Sequence, residues 1–277
     1  MTARSRRRWR TICALGCVLV GVMVVAAGCA DRLILPPVPK VGEGDGSLRV
    51  MIQRGDWCVL ESFRARSPGA KDVEPRAFVL RFSGDADTAA KWTADRWRDR
   101  PVEAWVVNYP GYGGSSGPRT LREIADAALV AHDEIRRVAG ERPIIVEGFS
   151  LGTVPALHVA ANRPVAGVIV QNPPPLRQVV LRQHGWWNLW LLAGPVALNL
   201  PREVDSIANA KRCRAPAVFI IAEKDEIVPP ALQREIFDSY GGEKRLIAQM
   251  GAGHVTPLDE KTMQAMQDAM DWMLESR

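Results

Sequence analysis

The chain has 277 residues, of which 47% are hydrophobic and 24% charged, with a formal net charge of +5. Five of its 36 Lys and Arg fall in residues 1–28, which hold no acid, and the remaining 31 balance 31 Asp and Glu. The basic excess therefore belongs to the leader and excludes a nucleic-acid footprint drawn from the overall charge.

Arg4, Arg6, Arg7, Arg8 and Arg10 form a basic head before an uncharged run from Thr11 to Ala30. That pattern predicts an export signal or membrane anchor over residues 1–28. Ala26-Ala27-Gly28-Cys29 resembles a bacterial lipoprotein cleavage box, in which Cys29 is lipidated and becomes the new N-terminus, although Ala26 stands where Leu is usual. The expectation is an exported, membrane-anchored lipoprotein, with an uncleaved anchor and ordinary secretion as the alternatives. Ser5-Arg6-Arg7 is similar to a twin-arginine signal, but the residues after it depart from that pattern. Residues 29–47 read as a tether, Pro-rich at Leu35–Pro39 and Gly-rich at Gly42–Ser47. A single domain is expected over 48–277.

Within that domain, Leu48–Gln53 and Trp57–Arg64 read as an opening hairpin turning at Arg54-Gly55-Asp56. Ala77–Phe82 reads as a strand, Thr88–Arg98 as a helix, Val102–Tyr109 as a strand and Leu121–Val138 as a helix. Pro143–Glu147 is a short apolar run suited to a buried strand, and Thr153–Ala161 is an Ala-rich helix. Val165–Gln171 and Ala217–Ile221 are further strands, with Leu232–Tyr240 a helix, Lys244–Met250 a strand and Leu258–Leu274 the closing helix. Strands alternating with helices predict an α/β fold, its mostly parallel sheet covered by helices on both faces. Residues 172–212 interrupt the alternation with Asn172-Pro173-Pro174-Pro175 and the apolar run Trp186–Leu192. They are read as a short lid or acyl-binding wall, the alternatives being a core helix or a membrane-contacting patch.

Gly148-Phe149-Ser150-Leu151-Gly152 carries the chemistry. A serine on a sharp strand-to-helix turn adopts strained geometry that presents its Oγ, and the flanking glycines avoid collision with strand and helix. Asp225 follows the Ala217–Ile221 strand, and His254 follows the Lys244–Met250 strand within Gly251-Ala252-Gly253-His254. In open α/β sheets chemistry collects beyond the carboxyl ends of strands, where all three residues fall. The order Ser150, Asp225, His254 separates this arrangement from the other common triad orders.

Asn108-Tyr109-Pro110-Gly111-Tyr112-Gly113-Gly114-Ser115-Ser116-Gly117, Gly148–Pro155, Asp225–Pro229 and Gly251–His254 together resemble the α/β-hydrolase superfamily, over about residues 48–277. The chain is most similar to the small-lid branch that includes protein depalmitoylases and membrane-tethered esterases. The resemblance implies the α/β-hydrolase fold and a serine hydrolase cleaving esters or thioesters through an acyl-enzyme, without cofactor or metal. Ser150 would be nucleophile, His254 the base and Asp225 its orienting partner. Oxyanion donors would be the N–H of Leu151 and, from the loop Ser83-Gly84-Asp85-Ala86, the N–H of Asp85. Relatives usually carry His-Gly there, so Ser83-Gly84-Asp85 departs from the pattern. An Asp85 carboxylate facing the oxyanion would oppose it, whereas one turned outward would cap the following helix. Partners implied are a small-molecule or acyl-ester substrate and a membrane, with no nucleic acid. Peptidase or amidase action by the same triad and a non-catalytic envelope lipoprotein are the rival readings.

Other residues carry less. Tyr112 is a candidate pocket-lining residue whose alternative is packing its own loop. His132 and His158 lie in helix patterns and read as structural or exposed, His184 as a surface residue or substrate contact, and Glu147 as structural. Gly111-x-Gly113-Gly114 lacks the endings of a phosphate loop. Cys58 and Cys213 are able to pair in an exported protein, but free thiols are the favoured reading.

Overall fold

The computed structural model describes residues 30–35, 47–55, 58–84, 94–184 and 193–275, together with Gly16 and Gly21. The expectations for Cys29, Asp85, the Trp186–Leu192 run and most of the leader and tether lie outside these residues. Among the described residues, no helix is long and apolar enough to cross a membrane.

Eight strands build one sheet: β1 (Leu48–Arg54), β2 (Cys58–Arg66), β3 (Ala77–Phe82), β4 (Val102–Val107), β5 (Ile144–Phe149), β6 (Gly167–Gln171), β7 (Ala217–Ala222) and β8 (Lys244–Gln249). Their spatial order is β1-β2-β4-β3-β5-β6-β7-β8, in which β2 alone runs opposite to the other seven. β3, β4, β6 and β7 are buried along their whole length, so a mostly apolar sequence suits them, with Arg81 of β3 and Glu103 of β4 buried as charged exceptions.

The helices on the sheet are α1 (Leu121–Ala139) and α2 (Thr153–Asn162), followed, beyond the insertion, by α5 (Ser206–Arg212), α6 (Pro230–Ser239) and α7 (Glu260–Glu275). Alternate strand residues face opposite layers. Val79, Ile145, Ile169, Val218 and Ile220 pack with Trp97 and with Met266, Met270 and Met273 of α7. Phe219, of the opposite parity, meets Phe237 of α6 edge-on at 5.3 Å. Helices thus cover both faces, as the alternation predicts. α1 begins with Thr120 accepting a hydrogen bond from the Glu123 N–H at 3.2 Å and ends at Gly140, whose φ of 61° suits glycine.

Three elements differ from expectation. Of the expected helix Thr88–Arg98, the described part is a 3-10 turn at Ala94–Trp97. β4 stops at Val107 because Asn108 and Tyr109 enter a turn closed by the Tyr112 N–H on the Tyr109 carbonyl. The third is the insertion. The chain divides into two compact units, one formed by residues 1–34 with 176–200 and the other by 35–175 with 201–277. The smaller unit contains α3 (Leu176–His184) and α4 (Ala193–Leu198), joined by Arg177 Nε donating to the Ala197 carbonyl at 3.0 Å. Residues 201–212 belong instead with the sheet: α5 is capped by Asp205, and Ser206 Oγ donates to the Pro174 carbonyl at 3.1 Å.

Candidate active site

β5 delivers the chain into a one-turn 3-10 segment, Ser150–Gly152, that leads directly into α2. Ser150 adopts φ 49°, a left-handed conformation costing a non-glycine residue about 1–3 kcal/mol. A Cβ on Gly152 would strike the Phe82 and Ser83 carbonyls of β3 and its loop, and one on Gly148 would strike the backbone of Gly152 and Thr153. Both glycines are therefore needed where strand and helix cross most closely. Thr153 Oγ1 donates to the Ser150 carbonyl at 2.7 Å, tying the turn to the first residue of the helix.

Asp225 follows β7 in a loop whose own backbone grips it. Its Oδ1 accepts from the N–H groups of Ile227 at 3.0 Å and Val228 at 2.8 Å. Oδ2 accepts from Gln233 Nε2 of α6 at 2.8 Å and lies 2.7 Å from His254 Nδ1. His254, in the loop after β8, places Nε2 2.8 Å from Ser150 Oγ. A carboxylate can only accept, so Nδ1 bears the imidazole proton and the Nε2 lone pair faces the serine hydroxyl. All three groups are buried. The structure thus brings Ser150, Asp225 and His254 into one hydrogen-bonded chain, across separations of 104 and 29 residues.

The remaining expected site residues fall as follows. Leu151, directly after Ser150, is buried within the turn. Asp85 lies outside the described residues, but the start of its loop is fixed: Tyr109 Oη donates to the Ser83 carbonyl at 2.6 Å. The side chain of Phe149 packs beside Gly84 and lies 5.5 Å from the His254 ring, centroid to centroid. Tyr112 is buried edge-on against Tyr109 at 6.0 Å, which is the loop-packing alternative. The side chain of His184 is not described. His132 and His158 are buried, and desolvation lowers the pKa of each imidazole. Cys58 and Cys213 are free, with burial pushing the Cys213 thiol up to about 12. Glu147 is buried against Arg81 and Arg96, and its burial raises the carboxyl against the pull of Arg96.

Sequence reasoning missed four supporting residues. Glu61 of β2 accepts from Arg49 Nε at 2.7 Å and from Asn108 Nδ2 and the Gly114 N–H at 2.6 Å, anchoring the Gly-rich loop. The lone carboxylate of β2, directly after Val59 and Leu60, was the signal for it. Tyr109 and Gln233 carry no such signal, because tyrosine and glutamine are ordinary in a loop and on a helix. Asn172 is the fourth, with φ 52° and a wholly buried side chain. Its position at a strand end before three prolines marks a turn but not its bonding.

Residues 83–208, which include the turn at Ser150, match the Alpha/beta hydrolase family. The sheet and this match together give the chain the α/β-hydrolase fold. The chain is 28% identical to an uncharacterized protein of Mycobacterium tuberculosis over 163 residues, covering 57% of the chain and 56% of the relative. It is 23% identical to lysophosphatidylserine lipase ABHD12 of Danio rerio over 227 residues, covering 70% of the chain and 57% of the relative. The chain thus spans little more than half the length of these curated relatives. Among solved structures, the esterase PF2001 of Pyrococcus furiosus shares the fold, with a TM-score of 0.68 at 16% identity over 87% of this chain and 97% of that one.

Proposed function

We propose that this α/β-hydrolase cleaves carboxylic ester or thioester bonds through an acyl-enzyme, at a membrane to which lipidated Cys29 tethers it. The observation that carries the reading is the relay from Asp225 through His254 to Ser150, at 2.7 and 2.8 Å, ending on a serine in left-handed geometry. His254 Nε2 takes the proton as Ser150 Oγ attacks the acyl carbonyl. The same proton passes to the departing alcohol or thiol as the bond to the acyl carbon breaks. Water then attacks the acyl-serine with His254 again accepting and returning a proton, releasing the acid and restoring Ser150. Asp225 holds the imidazole in the required tautomer and stabilises it when charged. The Leu151 N–H is the first oxyanion donor and the Asp85 N–H the second, each acting on the charge that develops only in the transition state. Tyr112 packs its loop in this scheme rather than touching substrate. A relative named as a lysophosphatidylserine lipase supports a lipid-like acyl ester as the substrate class.

A fluorophosphonate probe tests the nucleophile. It is expected to label the wild type and to leave Ser150→Ala unlabelled, with both proteins showing the same circular dichroism. Equal labelling of both, or of neither while each is folded, removes the serine-hydrolase reading. On active protein, p-nitrophenyl esters of graded acyl length then rank the acyl chains.

A further inference from the structure

We propose that Asn172 is a positioning residue for the base, holding the His254 backbone in register with the strand end that leads to Asp225. The inference rests on the hydrolase reading above and adds to it a group outside the Ser150–His254–Asp225 relay.

Asn172 follows β6 directly, and its own N–H extends the ladder by donating to the Ile220 carbonyl of β7 at 2.9 Å. Its side chain then makes two different bonds. Oδ1 accepts from the Ala222 N–H at 3.0 Å, at the last residue of β7 and three residues before Asp225. Nδ2 donates to the carbonyl of His254 itself at 2.8 Å. One wholly buried amide thus joins the strand end feeding the acid loop to the peptide of the base. The other bonds of the His254 loop hold its neighbours: Gly251 N–H to Glu223 Oε2 at 2.7 Å, Lys224 N–H to the Ala252 carbonyl at 2.8 Å, and Gly253 N–H to Thr256 Oγ1 at 3.0 Å. The imidazole is fixed at its tip by Asp225, and the main chain of His254 by Asn172.

Three demands meet at this position. The backbone sits at φ 52°, a region asparagine enters more readily than most residues other than glycine. The Ala222 N–H needs an acceptor, and the His254 carbonyl needs a donor. Aspartate supplies the acceptor and loses the donor. Glycine supplies the conformation and loses both bonds. Among the described residues, Ser150 is the other non-glycine residue at positive φ, so both left-handed side chains of this α/β-hydrolase serve one site.

The test compares full-length wild type with Asn172→Gly and Asn172→Asp in detergent micelles. Three quantities are read: kcat and KM on a p-nitrophenyl ester, the thermal midpoint, and the downfield proton signal of the His254 Nδ1–H bonded to Asp225. The chain has four histidines, and loss of the signal in His254→Gln assigns it. A base displaced by a fraction of an ångström to an ångström loses about a hundredfold in rate, so both variants are expected to fall in kcat by that order with KM little changed. The downfield signal is expected to vanish or move. A purely structural residue would lower the thermal midpoint and leave kcat and the proton signal unmoved, and that result overturns the proposal. Were the wild type inert to the ester and the probe, the hydrolase reading would fail separately. The proton signal would still decide whether Asn172 places His254.

Discussion

Asp225 is the most heavily bonded side chain of the site, with four donors converging on its two oxygens. In the proposed reaction its worth lies in the contact with His254 Nδ1, while the other three bonds keep it there. Asp225→Asn separates these roles. The amide retains one acceptor oxygen for the Ile227 and Val228 N–H groups and turns an NH2 toward His254. Nδ1 must then accept, which moves the imidazole proton to Nε2 and removes the lone pair facing Ser150. The expected loss in kcat is about 10⁴-fold, with the fold intact. Steady-state kinetics beside near-ultraviolet circular dichroism checks it, and a loss under tenfold in folded protein would show that Asp225 does not set the tautomer. The three relay residues were legible in the sequence because serine between two glycines, and single Asp and His residues at strand ends, are sparse and ordered. Gln233 and Asn172 were not, because a side-chain amide reveals its partners only after distant strands are brought together.

At the scale of elements, the strands were legible where burial is complete. β7 reads as an apolar run and β3 and β6 as nearly so, broken by Arg81 and Gln171, since neither face meets water. β8 was found through its place in the alternation, because only Gln249 of its six residues is buried. The insertion was the least legible, since its prolines announce a break without saying that residues 201–212 return to the sheet. The turn at Ser150 depends on contact between β5, α2 and β3, and Gly152 is its tightest point. In Gly152→Ala the new methyl meets the Phe82 and Ser83 carbonyls, which are backbone and have no rotamer to yield. Overpacking of this kind costs about 1–3 kcal/mol. Relief requires β3 and α2 to part, which displaces Ser150 and the start of the Asp85 loop together. The expected outcome is a lowered denaturation midpoint and probe labelling slowed by more than the stability loss explains. Labelling at the wild-type rate would mean that the turn tolerates separation of strand and helix.

At the scale of the whole molecule, the sequence places a basic head and an uncharged run of twenty residues, Thr11–Ala30, ahead of the domain. As a helix such a run is about 30 Å long, enough to span a bilayer, so length alone does not separate a cleaved signal from a retained anchor. Cys29 does. If it is lipidated after cleavage, the protein loses its five leader arginines, and its remaining Lys and Arg equal its Asp and Glu in number. Attachment then rests on acyl chains, each buried CH2 contributing about 0.8 kcal/mol, and not on surface charge. Cys29→Ser is therefore expected to lose incorporation of a labelled fatty acid and to migrate with the leader uncut. Wild-type protein that takes up no fatty acid, with the leader detected in the membrane fraction, would instead make residues 1–28 a retained anchor.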